Sequence, residues 1–145
     1  MAPRSLTEFE AKELLAGDAV AYLATLGKDG FPQVTPIWFV WEDGAFYMTS
    51  LTEKAHVGRL ERDPRASICV EVEEPERSDG ERPNRSVRAT GPAEVFTDVD
   101  GTWTRRITEK YIRGPARDAL VARRAEQERV VIRLQPVRLI GLASV

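Results

Sequence analysis

Hydroxyls and cations crowd together in "TSLTEKAHVGRLERDPRAS", residues 49 to 67, where a strand hands over to a helix. Thr49, Ser50 and Thr52 come first, then Lys54 and His56, with Arg59 and Arg62 ahead of Asp63-Pro64. A helix N-terminus offers free backbone N–H groups and the positive end of the helix dipole, which together suit a phosphate. The three hydroxyls add donors, and Lys54 adds a mobile point charge. A plainer reading stands beside this one: Thr52 caps the helix while Lys54 and Arg59 are solvated.

Other chemistries find little material. One histidine and one cysteine do not furnish a zinc site of the usual kind. His56 is the sole base for a Ser-His-Asp arrangement, and no nucleophile elbow precedes it. "GKDGF" is a hairpin turn rather than a dinucleotide loop. Glu71, Glu73 and Glu74 read as a solvated strand end rather than as paired carboxylates, and Cys69 as a small buried packing residue with no neighbouring cation to activate it. Trp38 and Trp41 point to opposite faces of their strand. Either both pack, or one stacks on a planar cofactor.

The elements that position these residues follow from pattern. Ser5 with Glu8 forms a capping box for a short helix to about Ala16, carrying Leu6, Phe9, Leu14 and Leu15. "VAYLATL" (20–26) is a buried strand closed by "GKDG". "PQVTPIWFVWE" (32–42) is one long strand, apolar on both faces, and Asp43-Gly44 turns it into the strand "AFYMTS" (45–50). Residues 54–62 form a helix stopped by Asp63-Pro64. "RASICVEVEE" alternates as a strand, with Ala66, Ile68, Val70 and Val72 on one face. Residues 75–85 are a polar loop. "SVRATGPAEVFTD" resumes the sheet with a bend at Gly91-Pro92. Trp103, Ile107 and Tyr111 stripe a helix that follows an Asp100 cap region. "ARDALVARRAEQE" is a second helix, and "RVVIRL" is the last strand, continued in "RLIGLASV". Antiparallel strands with few helices imply a mainly β (α+β) fold built as a small barrel.

The chain has 145 residues, which fits one domain, 1–145, able to bury ~70% of its unfolded surface. With 42% hydrophobic and 30% charged residues it reads as soluble and globular. A lone cysteine excludes an internal disulfide and suggests a reducing compartment. The absence of an apolar run of ~20 residues and the charges near the start argue against a membrane span or a signal peptide, so a cytoplasmic location is expected. The net charge of -2 gives no long-range attraction to nucleic acid or to an anionic membrane.

"GFPQVTPIWFVWEDGAFYMTS" followed by "KAHVGRLERDPRAS" resembles the pyridoxamine 5'-phosphate oxidase-like split-barrel family. The pattern is a G-x-P turn, a long strand with P-x-W-F, a D-G hairpin, a basic pair and L-x-R-D-P-R. "RVVIRLQPVRLIG" also fits the family's last strand, and the likeness runs from about Ala21 to the end. It is nearer the flavin/deazaflavin-dependent oxidoreductase branch than the true vitamin-B6 oxidase. Where that oxidase has an Arg-x-Val-Leu-Leu-Lys strand, this chain reads Gln33 to Trp38.

The resemblance implies a six-stranded antiparallel split β-barrel with short flanking helices, forming a homodimer with cofactor sites at the subunit interface. It places the ring system along Val34, Thr35, Pro36, Ile37 and Trp38, and the phosphate at Thr49, Ser50, Thr52, Lys54, Ala55, His56 and Arg59. Counted forward from "FY", Lys54 takes the family's phosphate-binding lysine position; counted back from "RDPR", His56 takes it. The implied cofactor is the deazaflavin coenzyme F-420 or FMN, which carries the hydride chemistry while the protein positions a small-molecule substrate. No residue is singled out as the catalytic acid or base. The competing reading is a non-enzymatic protein that binds or sequesters flavin, F-420 or haem, with His56 the available imidazole ligand.

Overall fold

The computed structural model describes residues 3–74 and 83–144. Most of the 75–85 loop expected from the sequence therefore lies outside the described residues, while Asn84 and Arg85 already belong to a strand. The elements in chain order are β1 (Arg4–Ser5), α1 (Glu8–Ala16), β2 (Ala21–Leu26), β3 (Pro32–Ile37), β4 (Val40–Glu42), β5 (Ala45–Leu51), α2 (Ala55–Arg62), β6 (Arg65–Glu73) and β7 (Asn84–Thr97). They continue with a short 3-10 turn (Val99–Gly101), α3 (Thr102–Tyr111), α4 (Arg117–Ala125), β8 (Arg129–Leu134) and β9 (Arg138–Ser144).

The strands are antiparallel and run in the order β3-β2-β6-β7-β8-β5-β4, with β9 paired to both β1 and β7. The fold is a mainly β split barrel with flanking helices, as expected. Its strands number nine among the described residues rather than six, because β1 and β4 are fragments and the final stretch is a full strand.

β7 makes the barrel. Its residues 84–92 pair with β6, and then Ala93–Thr97 pair with β8. The change of partner falls at Gly91-Pro92, where the sequence predicts a bend. A Cβ on Gly91 would lie 2.6 Å from the Gln135 carbonyl oxygen, so the corner leaves no room for a side chain.

The expected long strand 32–42 is broken. β3 and β4 sit at opposite ends of the sheet path, and Trp38-Phe39 carries the chain across the seam between them. Phe39 dives into the core against Phe46, their ring centroids 5.5 Å apart. Trp41 meets Phe46 edge-on at 4.8 Å, and Trp38 stacks on Tyr111 of α3 at 4.9 Å. Phe39 is thus buried, and both tryptophans pack against rings of the chain while remaining half-buried.

Local signals shift by a residue or two. The capping box of α1 is Thr7 with Glu10, not Ser5 with Glu8: Thr7 Oγ1 accepts from the Glu10 N–H at 3.1 Å, and Glu10 accepts from the Thr7 N–H at 2.8 Å. Ser5 instead pairs with Leu142 in the sheet. Leu14 and Leu15 enter the core, whereas Phe9 is exposed. At α3 the N-cap residue is Gly101, and the carboxylate that serves the helix start is that of Asp98 rather than Asp100: it accepts from the N–H groups of Trp103 and Thr104 and from the Thr104 hydroxyl. Cys69 is half-buried on the outer face of β6. Among the described residues no helix is long and apolar enough to cross a membrane.

Candidate functional site

A cleft of about 560 Å³ opens at the barrel seam. One wall is β3 and the residue after it: Thr35, Pro36, Ile37 and Trp38. The opposite wall is the end of β5 and the start of α2, with Thr49, Ser50, Leu51, Lys54 and His56. Val20, Ile107, Arg124 and Arg129 complete the lining. The size is within the ~300–1,000 Å³ range of small-molecule and cofactor sites.

At the β5 wall Thr49 and Ser50 pair with Val131 and Val130 of β8, while β4 reaches only as far as Tyr47. Both are buried, with 8% and 6% of their surfaces exposed. Lys54 is the N-cap residue of α2 and makes no side-chain capping bond. His56 follows on the first turn and is 8% exposed. Burial, reinforced by Arg59 and then Lys54, pushes its imidazole below the ordinary histidine value, so it is neutral at neutral pH.

The β3 wall is held from behind by α3. The Tyr111 hydroxyl donates to the Ala19 carbonyl at 2.9 Å and accepts from the Phe39 N–H at 3.3 Å. Lys110 donates to the carbonyls of Phe39 (2.8 Å) and Leu15 (3.3 Å) and lies 3.9 Å from the centroid of the Phe39 ring. Burial lowers the Lys110 ammonium to about 8 and raises the Tyr111 phenol to about 12. These two side chains fix the crossing of the seam and, with it, the face that Ile37 and Trp38 turn to the cleft.

Six buried side-chain polar atoms lack a hydrogen-bond partner among the described residues, and four of them line this cleft: Thr49 Oγ1, His56 Nε2, Arg124 Nε and Arg129 Nε. Of the other two, Glu42 Oε2 is ion-paired with Arg106. Buried polar atoms are almost always satisfied, so a concentration of orphans in one concavity marks a place built for a polar guest. The two guanidinium nitrogens are donors on cations, and the hydroxyl and the Nε2 of a neutral imidazole each donate or accept. The guest they suit is an anion.

Eight residues expected at the site line the cleft: Thr35, Pro36, Ile37, Trp38, Thr49, Ser50, Lys54 and His56. Four do not. Val34 points away from it, 63% exposed on the outer face of β3. Thr52 donates to the Glu128 carbonyl at 3.4 Å and does not cap α2. Ala55 and Arg59 face a separate shallow groove with Lys28 and Arg62, and Arg59 Nε donates to Thr25 Oγ1 at 2.8 Å. Arg124 and Arg129 are the residues the sequence reading missed. They arrive from α4 and β8, some seventy residues downstream, and an arginine in "VARRAEQER" carries no local mark that separates it from a solvated one.

The family model for pyridoxamine 5'-phosphate oxidase matches residues 7–142. The chain belongs to this family. No curated protein is a significant match. Solved structures share the family's fold at low identity. An FAD-binding protein from Mesorhizobium loti is 23% identical, with a TM-score of 0.67 and full coverage of both chains. An F-420 reductase is 23% identical, with a TM-score of 0.66 over 88% of this chain and 94% of its own. The haem storage protein HutZ from Vibrio cholerae is 20% identical, with a TM-score of 0.69 over 91% of this chain and 92% of its own.

Proposed function

We propose that the seam cleft binds a phosphate-bearing flavin-type cofactor, coenzyme F-420 or FMN, and that the protein is an oxidoreductase acting on a small organic substrate. The observation that carries this reading is the set of unpartnered buried donors beside an apolar wall. Thr49 and His56, whose Oγ1 and Nε2 are unpartnered, stand at the start of α2 with Ser50 and the exposed Lys54, and this group of hydroxyls, ammonium and imidazole suits one anion. Pro36, Ile37 and Trp38 offer the flat apolar wall that a ring system needs.

When bound, such a cofactor supplies the hydride chemistry itself. The chain's own contribution is binding and orientation. β5 holds the hydroxyls, Tyr111 and Lys110 brace the β3 wall, and Trp38, already stacked on Tyr111, lines the cleft as an apolar surface rather than as a free stacking platform.

A homodimer belongs to the same proposal. Its support lies on the outer face of the sheet, where Tyr22 is 49% exposed beside Val34 on the edge strand β3. Such a patch is an apolar surface in need of cover.

One observation favours a second reading, haem binding: Nε2 of the single histidine is unpartnered in the same cleft. Titrating the purified protein with FMN, F-420 and haemin, followed by absorption and calorimetry, separates the two. Saturable one-to-one binding of a flavin or deazaflavin is expected. Tight haemin binding with no flavin or deazaflavin binding would reverse the assignment.

A further inference from the structure

Assigning Thr49, Ser50, Lys54 and His56 to the cofactor phosphate leaves two cations of the cleft unused. Arg124 lies in the last turn of α4, and Arg129 is the first residue of β8, directly across the ladder from Leu51. Each has a buried Nε without a hydrogen-bond partner. Arg124 has no ion pair with a described carboxylate, and its guanidinium sits 5.0 Å from the centroid of the Trp38 ring.

Arg129 makes one side-chain bond, from Nη2 to Gln127 Oε1 at 3.0 Å. Asp98 and Glu53 are the carboxylates that act on it, and neither forms an ion pair with it. Asp98 is already engaged by three hydrogen bonds at the start of α3. Burial pushes the Arg124 guanidinium below its ordinary range; burial and then Arg124 itself do the same to Arg129. Two neighbouring like charges, partly desolvated and with no ion pair among the described residues, favour the arrival of an anion.

We propose that Arg124 and Arg129 form a second anion subsite in the cleft, between the Trp38 ring and the Leu51 end of β5, that recognises a carboxylate on the substrate. The proposal rests on the reading that the cleft holds a flavin-type cofactor, and it names the substrate class of that site. The planar guanidinium fork matches a carboxylate in a bidentate way that a lysine does not. The Trp38 ring beneath Arg124 restrains the plane of the fork, and Ile37 and Ile107 give the carbon skeleton an apolar surface.

Benzoate, its neutral analogue benzamide and inorganic phosphate are the probes, titrated into the protein while tryptophan fluorescence is followed. Benzoate is expected to bind at least about tenfold more tightly than benzamide, the worth of a charge-assisted contact. Arg124→Gln should weaken benzoate by about tenfold or more and leave phosphate within about twofold, with Lys54→Ala giving the reverse pattern. Arg124→Lys should recover only part of the loss. Equal binding of benzoate and benzamide to the unaltered protein overturns the subsite, and this comparison needs no variant. Parallel losses of both anions in both variants also overturn it, because they describe one shared anion site. FMN and F-420 titrations of the same proteins keep the two readings apart. Cofactor binding with indifference to benzoate removes the subsite alone, whereas no cofactor binding removes the cofactor reading whatever benzoate does.

Discussion

His56 shows how burial redirects a residue that spacing alone reads as a weak cation. Its imidazole lies in the cleft wall with Nε2 unpartnered, and its pKa is pushed down by burial and by Arg59 and Lys54. Without a ligand the neutral ring is favoured, so the stability it contributes is present above the unfolded value and is lost as pH falls through the lower folded value. A bound phosphate reverses the preference by stabilising the imidazolium. Affinity should therefore rise as pH falls below the ordinary histidine value. His56→Ala is expected to cost more cofactor affinity near pH 5.5 than near pH 8, as read from dissociation constants of the two proteins at both pH values. Taking the difference between them removes the titration of the phosphate itself. A penalty independent of pH would mean that His56 only packs. The hydroxyls and cations at Thr49, Ser50, Lys54 and His56 were legible because they are adjacent in sequence and flank a helix start. Arg124 and Arg129 were not, since only tertiary closure brings them to that wall.

At the scale of elements, the crossing between β3 and β4 decides the shape of the site. Binary pattern reads 32–42 as one strand because every side chain from Ile37 to Trp41 is apolar, and period alone does not register a turn inward at Phe39. What stabilises the break is distant: Tyr111 and Lys110 on α3 satisfy the backbone groups that the broken strand leaves unpaired. Tyr111→Phe keeps the ring on Trp38 but removes both hydroxyl bonds. The expected cost is ~1–3 kcal/mol, a fall in melting midpoint of ~2–4 °C for each kcal/mol at this chain length. An unchanged midpoint would show that the seam is fixed by packing alone. The helix starts teach the same lesson on a smaller scale. Ser5-Glu8 and Thr7-Glu10 both satisfy the capping pattern, and the choice between them is made by β9, which claims Ser5 as a strand partner.

The whole molecule was the most legible part, because hairpin turns, strand alternation and the Gly91-Pro92 corner each specify local geometry that antiparallel closure then reuses. The proposed homodimer is argued from the surface. Tyr22 and Val34 lie exposed on the outer face beside a free strand edge, a combination that monomeric proteins rarely leave uncovered. Sedimentation equilibrium is expected to show a dimer at micromolar concentration and a monomer for Val34→Glu; a monomeric unaltered protein would contradict the homodimer.

The central claim is that the turn from β5 into α2 holds the phosphate of a flavin-type cofactor. Its most direct test is a calorimetric titration of F-420 and of FMN into the unaltered protein and into Lys54→Ala, with circular dichroism to confirm that both are folded. Loss of a charge-assisted contact worth ~1.5–3 kcal/mol predicts a dissociation constant weaker by roughly ten- to a hundredfold in the variant. A change of less than about twofold, the range of an ordinary surface substitution, would contradict the claim and leave Lys54 a solvated residue at the head of a helix.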